Sequence, residues 1–297
     1  MYYRLHDLTW EDAQRLARPG TVAVIPTGST EQHGRHLPVE VDSRLVFEVA
    51  ARASELAGER IDVVLAPLLA YGASHHHLEF AGTMSLSLPT YINVLADLAD
   101  SLIGFGRFSH VLFLNGHGGN TDPIHIAVRM TRDKHPDAVV AGADYWSLAQ
   151  DEINRLRKSP PGGVAHACEF EAAMMMHLRP DSVRQDKIIK HIPEWDTEHV
   201  LLDLTQGRGV AWGHHMIDVT ATGVIGDPTL ATPEHGKAFF AAVTGQVAAF
   251  LVDFSRWTQR GLVTNRYVRS GQGPVEACVD RGGIHRRPQR LRSAGSR

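Results

Sequence analysis

Apolar residues recur along this chain in two rhythms. Unbroken short runs occupy residues 21–25, 63–65, 110–114 and 139–141. Such runs predict strands buried on both faces, where no polar side is needed to alternate with the apolar one. Between them the spacing changes to three and four. Leu45, Val46, Val49, Ala50, Ala53 and Leu56 predict a helix that closes at Gly58. Ile92, Leu95, Leu98 and Leu102 predict one side of a helix over residues 90–105, and further helices are expected over 123–134 and 169–178. Thr9-Trp-Glu-Asp12 has the form of a capping box opening a short helix that stops at Pro19-Gly20. Thr232-Pro233 opens a last long helix reaching about Phe254, with proline at the first helical position. Strands alternating with helices predict an α/β fold built of βαβ units, with a mainly parallel sheet covered on both faces. Functional loops in such folds leave the carboxyl ends of strands.

Composition narrows the partners. The 297 residues include 43% hydrophobic and 21% charged, with a net charge of −3. That balance gives no reason to expect nucleic acid or a membrane surface as a partner. No apolar run approaches the roughly 18 residues that cross a bilayer, and the N-terminus carries no apolar signal region. Cys168 and Cys278 lie far apart, so no structural disulfide is expected and a reducing cytoplasm is the expected location. A single catalytic domain is expected over residues 1–258. From Ser270 the chain is rich in arginine and glycine and poor in apolar groups, which predicts a disordered basic tail over 270–297.

Histidine is the outlier, with 18 copies against 10 Phe and 6 Tyr, many of them in glycine-rich loops. Three clusters stand out. Residues 27–42 place Glu31, His33 and Asp42 in a loop punctuated by glycine and proline. Glu31 and His33 are two apart and share a side in extended backbone. Carboxylate plus imidazole suits Zn, Mn or Fe(II), although an isolated Glu-x-His is more often a polar surface loop with a helix cap. His117 follows a buried strand inside Asn115-Gly-His-Gly-Gly-Asn120, where glycines allow close approach to an ion or substrate. A phosphate-cradling loop is the competing reading, without the Lys-Ser/Thr pair of a P-loop. The third cluster is His166-Ala-Cys-Glu169-Phe-Glu171, in which the two glutamates cannot share one helix face, so one of them is expected to enter a site.

Taken together, these segments resemble the creatininase (creatinine amidohydrolase) superfamily. The resemblance is carried by Glu31-Gln-His-Gly-Arg-His-Leu-Pro with Asp42, and by Tyr71-Gly-Ala-Ser with Phe80-Ala-Gly-Thr83. It continues through Asn115–Asn120, the His166–Glu171 cluster, and Gly223-Val-Ile-Gly-Asp-Pro228, in one order over residues 1 to 255. It implies a three-layer α/β/α sandwich and a binuclear centre of two divalent ions (Zn, Mn or Fe) for hydrolysis of a small-molecule amide. By motif, Glu31, His33, Asp42, His117 and Glu171 would be the metal ligands, with Asp42 bridging. His166 would carry a proton. His36 and Asn120 would orient ligands, while Gly118, Gly119 and His77 would line the pocket. The resemblance also implies a homo-oligomer, commonly a hexamer. Two ions close together can hold a hydroxide nucleophile and polarise a carbonyl, and a neutral histidine can pass a proton to the leaving nitrogen.

The chain departs from the pattern at Gly118-Gly119, where creatininase has a Tyr-Glu pair whose glutamate is a ligand. Glu171 must then supply that oxygen, and creatinine itself is not the expected substrate. A formamide deformylase, a modified-peptide peptidase and a non-catalytic metal-binding scaffold subunit are the alternatives.

Overall fold

In the computed structural model, which describes residues 1–207 and 210–258, a five-stranded sheet runs through the molecule. Its strands are β1 (Tyr2–Arg4), β2 (Val22–Thr27), β3 (Val63–Leu65), β4 (His110–Asn115) and β5 (Val139–Asp144). They pair in parallel in the order β1-β3-β2-β4-β5. The helices are α1 (Trp10–Leu16), α2 (Val41–Ala57), α3 (Leu88–Asp100), α4 (Thr121–Lys134), α5 (Tyr145–Leu148), α6 (Gln150–Leu156), α7 (Glu169–Leu178), α8 (Met216–Val219) and α9 (Pro233–Phe254). A two-stranded antiparallel ribbon, β6 (Val164–His166) and β7 (Ile225–Gly226), stands beside them.

Successive strand residues point to opposite faces, and the core divides accordingly. Val22, Val24, Leu112 and Leu114 pack with the buried faces of α2, α7 and α9. Ala23, Ile25, Val111 and Phe113 pack with α3 and α4. Every residue of β2 and β4 is buried, which explains the unalternating apolar runs. This is the expected three-layer α/β/α sandwich. From β2 the chain crosses through α2 to β3, then returns through α3 to β4 on the other side of β2. Strand order therefore reverses between β2 and β4, and their carboxyl ends frame a crevice.

Several expectations needed correction. Strands β2 and β5 run further than predicted, through Thr27 and Asp144. β1 and the β6–β7 ribbon were missed because they are only two or three residues long and, unlike the equally short β3, none is an unbroken run of large apolar residues. Helix α1 ends at Leu16, short of Pro19. The buried row of α3 is Tyr91, Leu95 and Ala99 at i, i+4 and i+8, while Leu98 is exposed; a π-helical turn over Ser101–Phe105 follows it. Contrary to the reading of the apolar runs, α9 is long and apolar enough by length and composition to cross a membrane. Here it lies in the core, burying Phe239, Val243, Val247 and Leu251 against the α2–α7 side. Met1–Gln259 forms one compact unit. The basic tail over 270–297, with Cys278, lies outside the described residues.

Candidate active site and metal centre

The crevice is where the motif loops meet. Thr27 and Asn115 are opposite one another at the ends of β2 and β4, so the Glu31 loop and the His117 loop start side by side. The first turn of α2 folds back over both. A Cβ at Gly116 would stand 2.6 Å from Val46 Cβ and 2.8 Å from the Asp42 carbonyl oxygen. Only glycine permits that approach, and it brings Asp42 to the crevice. Glu171 arrives from the first turn of α7. Both carboxylates sit at helix N-termini, where the partial positive charge of the helix favours anions.

The five expected ligands do converge. His117 Nδ1 stands 3.2 Å from Glu31 Oε1 and 3.1 Å from Asp42 Oδ2. His33 Nε2 stands 3.1 Å from Asp42 Oδ1 and 3.8 Å from Glu171 Oε1. Ligand-type atoms of Glu31, Asp42 and His117 lie within 4.8 Å of one another, as do those of His33, Asp42 and Glu171. The two triads share Asp42, which presents one oxygen to each. Glu169 turns away and accepts from the amides of Lys158 and Ser159, so one glutamate of the pair enters the site as expected.

The chemistry of this donor set fits cations. Three buried carboxylates face one another, and Glu31 Oε1 and Asp42 Oδ2 have no well-aligned hydrogen bond among the described residues, only histidine nitrogens nearby. Such orphaned oxygens are costly unless a positive charge meets them. The histidines are oriented to match. A carbonyl oxygen only accepts, so the ring nitrogen facing it carries the hydrogen. His33 Nδ1 faces the Glu31 carbonyl at 3.2 Å, His117 Nε2 the Ala73 carbonyl at 3.3 Å, and His166 Nε2 the Gln32 carbonyl at 2.8 Å. In each ring the other nitrogen is left to point inward, the usual outer arrangement of a metal-binding imidazole.

Charge separates the histidines into two kinds. Burial pushes His33 down, but Asp42 and Glu171 outweigh it and hold it well above the ordinary value. Burial is likewise overcome at His117 by Glu31 and Asp42, which push it up to about 10. Burial opposes ionisation of Glu31 and Asp42 too, yet His117 and His77 keep the first below the usual carboxylate range and His33 and His117 the second. At His166 burial wins, helped by His33, and the ring is pushed down. His77 is pushed well down by burial, and His76 to about 4 by burial and His117. His166 Nδ1 stands 3.8 Å from Glu31 Oε1. His166, Glu31 and His33 also satisfy the same spacing as the two triads.

Of the remaining predicted residues, His77 is buried in the site, its Nε2 3.3 Å from Glu31 Oε1. Gly118 and Gly119 line the cavity. Asn120 joins loops, accepting from Ala73 N at 2.9 Å and donating to the Gly28 carbonyl at 3.0 Å, rather than touching a ligand side chain. His36 is buried with neither ring nitrogen hydrogen-bonded among the described residues, and burial, with His33, pushes it to about 4. The orienting contacts come largely from residues the sequence did not single out. Ser29 donates to Glu31 Oε2 at 3.1 Å and is hydrogen-bonded to Ser74, whose hydroxyl meets His117 Nε2 at 3.2 Å. Gln32 Nε2 donates to His77 Nδ1 at 3.0 Å. Asn115 accepts from His117 N at 3.1 Å and donates to its carbonyl at 2.7 Å and to Asp144 at 2.7 Å. Ser29 and Ser74 are 45 residues apart, so no local spacing announces them.

The ligand cluster opens into a cavity of about 590 Å³. Asp42, His117, Glu171 and His166 form one end. Trp146, Leu201, Leu202, Leu204, Met216 and Ile225 supply an apolar wall.

The chain is similar to known proteins. A sequence profile of the creatininase family, described as creatinine amidohydrolase, matches residues 6–251. The mycofactocin precursor peptide peptidase of Mycobacterium tuberculosis (strain ATCC 25618 / H37Rv) is 35% identical over 231 residues, 74% of this chain and 80% of that protein. The creatinine amidohydrolase of Pseudomonas putida is 31% identical over 202 residues, 63% of this chain and 76% of that one. Among solved structures, the manganese form of creatininase superposes with a TM-score of 0.72 at 23% identity, over 84% of this chain and 97% of that one.

Proposed function

Because the chain belongs to the creatininase family of hydrolases, we propose that it is a metal-dependent amidohydrolase. In this reading Glu31, Asp42 and His117 hold one divalent ion, and His33, Asp42 and Glu171 hold a second. The observation that carries it is the shared carboxylate: Asp42 presents Oδ1 to one triad and Oδ2 to the other. Zn and Mn suit the mixed oxygen and nitrogen donors, as does Fe(II). When bound, the ions supply Lewis acidity towards the amide at neutral pH.

The chain's own residues do the rest. Ser29, Ser74 and Asn115 fix Glu31 and His117 before a ligand arrives. Gln32 fixes His166 through its carbonyl and His77 through its amide. His166, neutral and carrying its hydrogen on Nε2, has Nδ1 free to take a proton and deliver it to the leaving nitrogen. Glu31, 3.8 Å away, steadies the imidazolium formed. A scaffold subunit would have no use for such a group.

The substrate is an amide larger than creatinine, and a modified peptide is favoured over a small planar ring. Gly118-Gly119 leaves that side of the site without side chains, and a cavity of about 590 Å³ is of a size that encloses drug-like ligands. The relatives at 33–35% identity named mycofactocin precursor peptide peptidase agree with this choice. The test is a panel of peptide amides, formamides, lactams and creatinine, incubated with metal-loaded and chelator-stripped protein and read by mass spectrometry. Metal-dependent cleavage of a peptide amide, with little or none of creatinine, is expected. Cleavage that survives complete metal removal would overturn the reading.

A further inference from the structure

The apolar wall of the cavity is held by buried polar contacts. Leu201, Leu202 and Leu204 come from a segment outside any regular element. Asp203, in their midst, has a fully buried side chain and forms an ion pair with the almost fully buried Arg157. Its carboxylate accepts from Arg157 Nη1 at 3.0 Å and Nη2 at 2.9 Å, and from the amides of Gly162, Thr205 and Gln206 at 2.8, 3.0 and 3.0 Å. Leu204 N donates to the Val164 carbonyl at 2.8 Å, which ties the segment to β6 and so to His166. A buried ion pair adds little net stability, because desolvation offsets its attraction. What it does here is hold three leucines in one place, in the apolar wall they form with Trp146, Met216 and Ile225 and in the same cavity as the ligand cluster.

The geometry points to a specificity subsite: the substrate carries a bulky apolar group, an aliphatic or aromatic side chain, next to the amide that is cleaved. Leu202 is one of the residues that read it, and Asp203 with Arg157 positions them. This inference rests on the hydrolase reading for the placement of the scissile bond. The wall itself is fixed independently of it. A charged side chain lying against these six apolar residues would lose its water without a partner among them, and Asp203, the charged residue between the leucines, is already engaged by Arg157.

Four hydroxamates sharing one chelating head test the wall by binding to metal-loaded protein. Their tails are isobutyl, benzyl, carboxymethyl and aminobutyl, and titration calorimetry measures each affinity. The isobutyl and benzyl compounds are expected to bind at least ~10-fold more tightly than the charged pair, the scale on which pockets separate apolar groups. Leu202→Ala should narrow that gap, and Leu202→Asp should raise affinity for the aminobutyl compound, both with melting temperatures near the parent's. Equal affinities, no binding of any compound, or a gap unchanged in both variants would overturn the subsite. Matched peptide amides separate the two readings. Apolar-selective binding without any turnover would remove the hydrolase reading and leave the subsite. Turnover indifferent to the tail would remove the subsite and leave the hydrolase.

Discussion

The two ends of the cavity are built by opposite means. At the ligand end, Glu31, His33, Asp42 and His117 all come from loops and first turns at the carboxyl ends of β2 and β4, two strands that are wholly buried. At the apolar end, Leu201, Leu202 and Leu204 come from a segment without regular structure, pinned by the buried Asp203–Arg157 pair, by the amides that donate to Asp203 and by the bond from Leu204 N to β6. The first end owes its geometry to the fold and the second to a side-chain clamp. One region can keep the chemistry while the other is altered to change what is accepted.

The sharpest break should come from Asp42→Ala. It removes the oxygens common to both triads, so at least one ion should be lost and turnover should vanish, while apolar packing stays intact. Elemental analysis beside an activity assay checks this, and full turnover with both ions retained would refute the shared role. Asp203→Asn should act in the other direction. It leaves Arg157 buried and unpaired, at a cost of about 3–5 kcal/mol, visible as a lowered melting temperature with metal content unchanged. A neutral effect would show that the clamp is not what holds the wall.

His166→Ala tests chemistry without ligation. Metal content should persist and the rate should fall on the order of 10²-fold, as for a lost general acid–base. If metal is lost instead, His166 belongs to the ligand set with Glu31 and His33. In the metal-free protein His33 and His117 are both held above their ordinary values, His117 up to about 10. Their protons are bound at neutral pH and must leave when an ion enters, so uptake should release protons and affinity should rise with pH through the neutral range. An unbuffered titration with no proton release would contradict that. The smallest contrast lies within one motif. A Cβ at Gly119 would stand 2.4 Å from the Ala73 carbonyl oxygen and 2.5 Å from His117 Nε2, whereas one at Gly118 would meet nothing within 4 Å. Gly119→Ala should cost about 1–3 kcal/mol as an overpacked position, and Gly118→Ala should lie within about 0.5 kcal/mol of the parent. Thermal melts of the pair decide it.

The same contrast explains what the sequence disclosed. The strands were legible because burial on both faces leaves nothing but apolar residues in residues 22–25 and 111–114. Glu31, His33, Asp42 and His117 were legible because a loop leaving a strand end packs its functional residues into a short stretch. Glu171 required choosing between two glutamates; helix geometry said only that one would enter a site, and the family resemblance named Glu171, while Glu169 faces the Lys158 and Ser159 amides. Ser29, Ser74 and Gln32 were not legible as orienting groups, since their partners are set by tertiary contact. The apolar wall had no signature at all. Leucines in an irregular segment show no period, and the pairing of Arg157 with Asp203 spans 46 residues. The α3 stripe was misassigned for a similar reason, its buried row being completed by Tyr91 and Ala99 rather than by Leu98.

The central claim is that Asp42 joins two ions. Anomalous diffraction at the metal's absorption edge, on crystals of metal-loaded protein, tests it most directly. The account predicts two peaks about 3.5–4 Å apart, one among Glu31, Asp42 and His117, the other among His33, Asp42 and Glu171. A single peak, or two peaks that do not share Asp42, would contradict it.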